Sequence, residues 1–189
     1  MKVLAINGSP RKTGNTASLI EKTLEGARAK GADVRRIDLE DMKIRAVRED
    51  DYTVCLDGAR EDLSDDLPGI IEAISSSDAI ILASPIFFGS IAGAMKVMID
   101  RFQFAWLEKN IRRREVFPGK KRGAFISVQA QERPDFFNNA SSIVRHFFAT
   151  VNISYSEELF CCNLEKKTDA GTNADYMKKA FELGQRLGS

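Results

Sequence analysis

The sequence predicts an α/β fold built as a three-layer sandwich, with a five-stranded parallel sheet in strand order 2-1-3-4-5 between two layers of helices. Three observations predict it. Short apolar runs alternate with helical stretches along the whole 189-residue chain, the pattern of a doubly wound sheet. The runs are almost continuously apolar, as expected where helices cover both sheet faces. Two of them end in turns of small and hydroxylated residues, where such a sheet places its ligands.

The elements follow in order. Val3, Leu4, Ala5 and Ile6 form the first run, and residues 16–30 form the helix that returns from it. Residues 34–37 give the second strand, and residues 68–75, opened by Pro68, the second helix. The third strand covers residues 79–83 and leads into a helix over 91–104. The fourth strand covers 124–128, a helix 136–150, the fifth strand 153–160 and the last helix 174–187. Residues 40–66 break the alternation, carrying Arg45, Arg48, Tyr52 and Arg60 among carboxylates. We read them as an irregular insertion in a single domain spanning 1–189, long enough to be functional or part of an interface.

A formal net charge of +1 gives no large field of either sign, so the composition points to neither nucleic acid nor membrane surface as partner. The dense basic spots, Arg112 to Arg114 and Lys120 to Arg122, read as solvated loop or as a cationic rim. No apolar run reaches membrane-spanning length, and Ser9, Pro10 and Arg11 interrupt any signal-like start. Cys55, Cys161, Cys162 and the single His146 lack metal-ligand spacing. Reduced thiols and a cytoplasmic setting are expected.

The turn after the first strand carries the strongest chemical signal: Gly8, Ser9, Pro10, Arg11, Lys12, Thr13, Gly14, Asn15 and Thr16. A strand running through such a turn into a helix leaves the first helical N–H groups aimed outward, with the positive end of the helix dipole behind them. Ser9, Thr13, Thr16 and Asn15 offer further hydrogen bonds, and Arg11 a planar cation. Five residues separate Gly8 from Gly14, and Asn15 and Thr16 follow, so this is not a nucleoside triphosphatase loop. The dinucleotide G-x-G-x-x-G pattern is also absent. A phosphomonoester site remains, with Thr13 or Asn15 as the expected N-cap.

A second turn follows the third strand: Ser84, Pro85, Ile86, Phe87, Phe88, Gly89 and Ser90. Pro85 stiffens it and Gly89 permits a backbone shape that a side chain would block. Phe87 and Phe88 cannot both point into one core, so one of them faces a ligand or a partner subunit. Lys96 and Asp100 stand four apart in the less favourable order for an intrahelical pair, which leaves two readings, a role beyond helix stability or solvated surface residues. A phosphate cradle beside a flat aromatic platform describes FMN.

These motifs, with Lys96, Ile99, Asp100 and Arg101 after the second turn, resemble the flavodoxin-like NAD(P)H-dependent FMN reductases, closest to the branch that includes iron-sulfur flavoproteins. The resemblance covers about the first two thirds of the chain. It implies non-covalent FMN, its phosphate at Ser9, Arg11, Thr13, Gly14, Asn15 and Thr16. The flavin ring would then lie against Pro85, Ile86, Phe87, Phe88 and Gly89. It further implies dimers or tetramers with FMN near a subunit interface. The iron-sulfur branch groups its cysteines where residues 43–66 fall here, and only Cys55 is present. One thiolate cannot hold a four-ligand cluster, so no iron-sulfur centre and no metal is expected.

With FMN bound, the implied reaction is two-electron hydride transfer from NADH or NADPH to flavin N5, then reduction of a quinone, a free flavin, an azo or nitro compound or a metal ion. Ser127 and Gln129, after the fourth strand, are candidate contacts at the flavin's other edge, Gln129 and Gln131 as donors; no side chain is assigned as acid or base. Two other readings are a flavodoxin-like electron carrier, disfavoured by the near-neutral charge, and a flavin-binding interaction module without turnover.

Overall fold

The computed structural model describes residues 1–48 and 65–189. In chain order it contains β1 (Lys2–Asn7), α1 (Asn15–Arg28), β2 (Asp33–Asp38), a 3-10 turn (Leu39–Asp41), α2 (Leu67–Ser75) and β3 (Ala79–Phe87). Then come β4 (Ser90–Ile91), α3 (Gly93–Asp100), α4 (Gln103–Asn110), β5 (Lys121–Val128), α5 (Pro134–Thr150), β6 (Ile153–Cys161), α6 (Asp169–Thr172) and α7 (Ala174–Leu187). The main sheet runs β2-β1-β3-β5-β6, all pairs parallel. With the short β4 set aside, this is the predicted order 2-1-3-4-5.

Alternation along the buried strands divides the core into two faces. Leu4, Ile6, Ile80, Leu82 and Phe125 face one side and pack with Leu67, Ile70, Met95, Met98, Val144 and Phe148 of α2, α3 and α5. Val3, Ala5, Ile81, Ala83 and Ile126 face the other, against Leu19, Ile20 and Leu24 of α1 and Leu183 and Leu187 of α7. On this second side α1 and α7 touch backbone to backbone. A Cβ on Gly26 would lie 2.0 Å from the Phe181 carbonyl oxygen, and one on Gly184 would lie 1.8 Å from that of Thr23.

The structure departs from the sequence expectation between residues 84 and 110. Ser84 and Pro85 extend β3, paired with Ser127 and Val128. Ile86 and Phe87 then fold back onto Ile91 and Ser90 of β4 in an antiparallel hairpin. The helix expected over 91–104 is two helices, α3 and α4, because Arg101 and Phe102 turn inward at the break. Arg101 is, among the described residues, the largest side chain with no solvent exposure, 0%, and its Nη1 donates to Asp65 and to the Arg45 carbonyl. The ends of the insertion also meet: Lys43 N–H donates to Asp66 Oδ2 at 2.7 Å, and Asp66 N–H to the Lys43 carbonyl at 3.1 Å. Tyr52, Cys55 and Arg60 lie outside the described residues, as does most of the predicted insertion. Among the described residues no helix is long and apolar enough to cross a membrane.

Candidate active site

β1, β3 and β5 are neighbours and parallel, so their carboxyl ends open on one edge of the sheet. The connection after β1 leads to β2 on one side, and that after β3 leads to β5 on the other. The crevice between β1 and β3 is therefore the switch point of the winding, where such sheets bind ligands.

The first wall is the loop after β1. Asn7, buried at the strand end, donates from Nδ2 to Asp38 Oδ1 at 2.7 Å and accepts the Ser9 N–H at 3.1 Å. Ser9 Oγ in turn accepts the Arg11 N–H at 3.1 Å. Asn7 was missed by sequence reasoning, since an asparagine ending an apolar run resembles any strand terminus. Arg36 braces the far side, donating to the Lys12 carbonyl and to Glu21 and Asp38. Burial works against its charge, and the two carboxylates outweigh that and raise its pKa. Replacing Asn7 by alanine strands the Ser9 N–H and removes one partner of Asp38. The expected cost is about 1–3 kcal/mol, read as a lower urea midpoint at unchanged slope.

Gly14, rather than Thr13 or Asn15, is the N-cap of α1, and no side chain caps it. The first helical bond runs from Ser18 N–H to the Gly14 carbonyl. The N–H groups of Asn15, Thr16 and Ala17 thus have no intrahelical partner. Arg11 and Thr13 are exposed beside them, and Thr16 is buried. The Asn15 side chain does not add to this cradle. Its Nδ2 donates to the Leu164 and Lys166 carbonyls, and its Oδ1 accepts the Ala170 N–H at 3.0 Å. What Asn15 leaves open is its backbone.

The second wall is joined to the first by Gly8 N–H, which donates to the Ala83 carbonyl at 2.8 Å. Gly8 is needed there, because a Cβ would stand 2.8 Å from Met95 Cβ. Ser84 Oγ accepts the Ala92 N–H and donates to the Pro85 carbonyl, both at 2.9 Å, fixing the route into α3. Pro85 and Ile86 are half-buried, Phe87 is 49% exposed and Phe88 107%. Gly89 closes the hairpin at φ 75°. Lys96 and Asp100 form a partly exposed i,i+4 ion pair at 2.7 Å, in keeping with the surface reading of the two.

The third wall is the end of β5. Ser127 is enclosed in the sheet, and its Oγ donates to the Ser84 carbonyl at 3.0 Å, which ties the third wall to the second. Gln129 is buried, donates from Nε2 to the Arg133 carbonyl at 3.1 Å, and holds Oε1 buried without a partner among the described residues. The open capacity of this side chain is as acceptor, where the sequence suggested a donor. Gln131 is exposed.

The remaining candidates have structural work. Lys121 Nζ donates to the Ser75 and Ser77 carbonyls at the end of α2, and Arg122 to the Arg186 and Leu187 carbonyls at the end of α7. Arg112 pairs with Glu108 one turn earlier. These contacts replace the idea of a cationic rim at Lys121 and Arg122. Cys161 is buried and Cys162 half-buried, both reduced. Burial pushes the Cys161 thiol up to about 12, far from a reactive thiolate.

A family model described as NADPH-dependent FMN reductase matches residues 1–154. An iron-sulfur flavoprotein of Archaeoglobus fulgidus is 32% identical over 187 residues, covering 99% of this chain and 79% of that protein. An NAD(P)H-dependent FAD/FMN reductase of Geobacillus thermodenitrificans is 30% identical over 102 residues, 53% of this chain and 50% of that protein. Among solved structures, an FMN-dependent NADH-azoreductase of Bacillus anthracis superposes over 100% of both chains with a TM-score of 0.75 at 13% identity, a likeness of fold. With the flavodoxin-like sheet order, the uncapped cradle after β1 and a family match over most of its length, the chain belongs to the NADPH-dependent FMN reductase family.

Proposed function

We propose that this protein binds FMN without a covalent link and reduces a small-molecule electron acceptor at the expense of NADH or NADPH. It would do so as a cytoplasmic homodimer or homotetramer. The observation that carries the reading is the direct joining of two unlike walls. The uncapped N–H groups of Asn15, Thr16 and Ala17 suit a phosphate. The Gly8 bond to Ala83 sets them beside a turn that displays Phe87 and Phe88. The buried Gln129 Oε1 supports it, because oxidised flavin carries one ring N–H that such an acceptor can take.

Within the reading each wall has a task. Ser9, Gly14 and the α1 backbone, with Arg11 and Thr13 at the rim, hold the phosphate against the helix dipole. Pro85, Ile86, Phe87 and Gly89 cover the flat ring, Gln129 fixes its polar edge, and Phe88, which the resemblance also sets against the ring, stands at its outer margin, fully exposed. When bound, FMN would supply two-electron hydride chemistry between NAD(P)H and the acceptor. The protein's own part is placement and exclusion of water, and no acid or base is assigned. The flavin is proposed as the sole redox centre, because three cysteines in the whole sequence fall short of four cluster ligands.

Fluorescence quenching of FMN tests the assignment, with riboflavin as the comparison. One charge-assisted hydrogen bond is worth about 1.5–3 kcal/mol, so riboflavin should bind at least about tenfold more weakly. Equal affinity would remove the phosphate from the α1 cradle, and absence of binding by either would end the FMN reading.

A further inference from the structure

Ile86 lies opposite Ile91 and Phe87 opposite Ser90, so Phe88 and Gly89 are the whole connection of the β3–β4 hairpin. Both have positive φ, 49° and 75°, the pattern of a type I′ turn. Glycine takes its position without steric cost. Phenylalanine does not: its Cβ crowds the backbone in the left-handed region, and asparagine is the residue that the first position favours. Phe88 is also fully exposed, so no burial among the described residues offsets the strain. An exposed aromatic ring held in a disfavoured conformation points to an occupant that the chain alone does not supply.

The hairpin is well anchored. Asn139 Nδ2 donates to the Gly89 carbonyl at 2.6 Å, and the Phe136 ring stands 3.2 Å from where a Gly89 Cβ would be. The Arg133 guanidinium covers that ring at 4.5 Å. Phe88 is thus presented on a fixed support at the carboxyl end of β3, at the mouth of the crevice.

We propose that Phe88 is the stacking platform for a flat aromatic electron acceptor docking at this mouth, and so sets the preference for planar acceptors; the inference rests on the FMN reading above. A planar ring laid on Phe88 gains apolar contact and offset stacking. A compact ionic acceptor gains neither. The position therefore acts on the choice of acceptor more than on retention of FMN.

The test compares Phe88→Asn and Phe88→Tyr with the unaltered protein, FMN-loaded, using a naphthoquinone and ferricyanide as acceptors. Asparagine suits the turn, so Phe88→Asn should raise the thermal midpoint by about 2 °C. The same variant should raise KM for the naphthoquinone about fivefold relative to KM for ferricyanide, as the loss of one aromatic pair implies, with kcat changed less than KM. Phe88→Tyr should keep the original ratio. An unchanged KM ratio in an FMN-loaded Phe88→Asn protein would overturn the proposal. So would a fall in oligomer mass in that variant, which would assign the ring to a second copy of the chain. Failure of the unaltered protein to bind FMN would instead remove the reading beneath it.

Discussion

Replacing Arg101 by methionine is expected to lower stability by about 3–5 kcal/mol, the range for removing one partner of a buried ion pair. The guanidinium has no solvent exposure, and it holds both ends of the 40–66 insertion at once. Nη1 reaches Asp65 and the Arg45 carbonyl, while Asp65 also accepts the N–H groups of Arg45 and Leu67. Methionine keeps most of the apolar stem and leaves the largely buried Asp65 carboxylate without its cation. Equilibrium urea unfolding checks the loss. A double variant, Arg101→Met with Asp65→Leu, should recover part of it, because the buried charge goes as well.

The same pair sets a pH dependence. Burial pushes the Asp65 carboxyl up, but its hydrogen bonds from Arg101, Leu67 and Arg45 outweigh this and hold it below the ordinary carboxylate value. A lowered folded pKa adds stability that is present above the unfolded carboxylate pKa and lost as pH falls through the folded one. The stability gap between the unaltered protein and Arg101→Met should therefore be widest above about pH 4 and narrow in acid. A gap independent of pH would contradict the assignment to this pair.

Gly184→Ala should have the next largest effect. A Cβ there would lie 1.8 Å from the Thr23 carbonyl oxygen and 2.9 Å from Ala27 N, atoms of the α1 backbone that cannot rotate away. The helices must separate, at the upper end of the about 1–3 kcal/mol typical of overpacking or beyond it. Because α1 carries the uncapped cradle at its other end, FMN affinity should fall as well. Gly69→Ala in α2 is the control: nothing lies within 4 Å of its Cβ, and helix propensity there favours alanine by up to about 1 kcal/mol. Thermal unfolding of the two variants should thus move in opposite directions.

The sheet order and both loops were legible because continuous apolar runs such as Val3 to Ile6 and small-residue turns are local signals. The split of residues 91–104 was not, because Arg101 turns inward only when the fold brings Asp65 and Arg45, far back in the chain, against it. The β3–β4 hairpin was hidden for a related reason: Phe88-Gly89 lacks the usual Asn-Gly signature. In the site, backbone features such as the open α1 terminus could be expected from strand-turn-helix order. Side-chain commitments could not, since Asn15 is spent on residues 164–170 and Ser127 on Ser84. Asn7 and Arg36 escaped because their role depends on β1 and β2 lying side by side.

Anaerobic titration of the FMN-loaded protein with NADPH tests the central claim most directly. Bleaching of the flavin's visible absorption that is complete near one NADPH per FMN, and faster than with free FMN, is the predicted result. Bound FMN whose absorption NADPH and NADH both leave unchanged would contradict it.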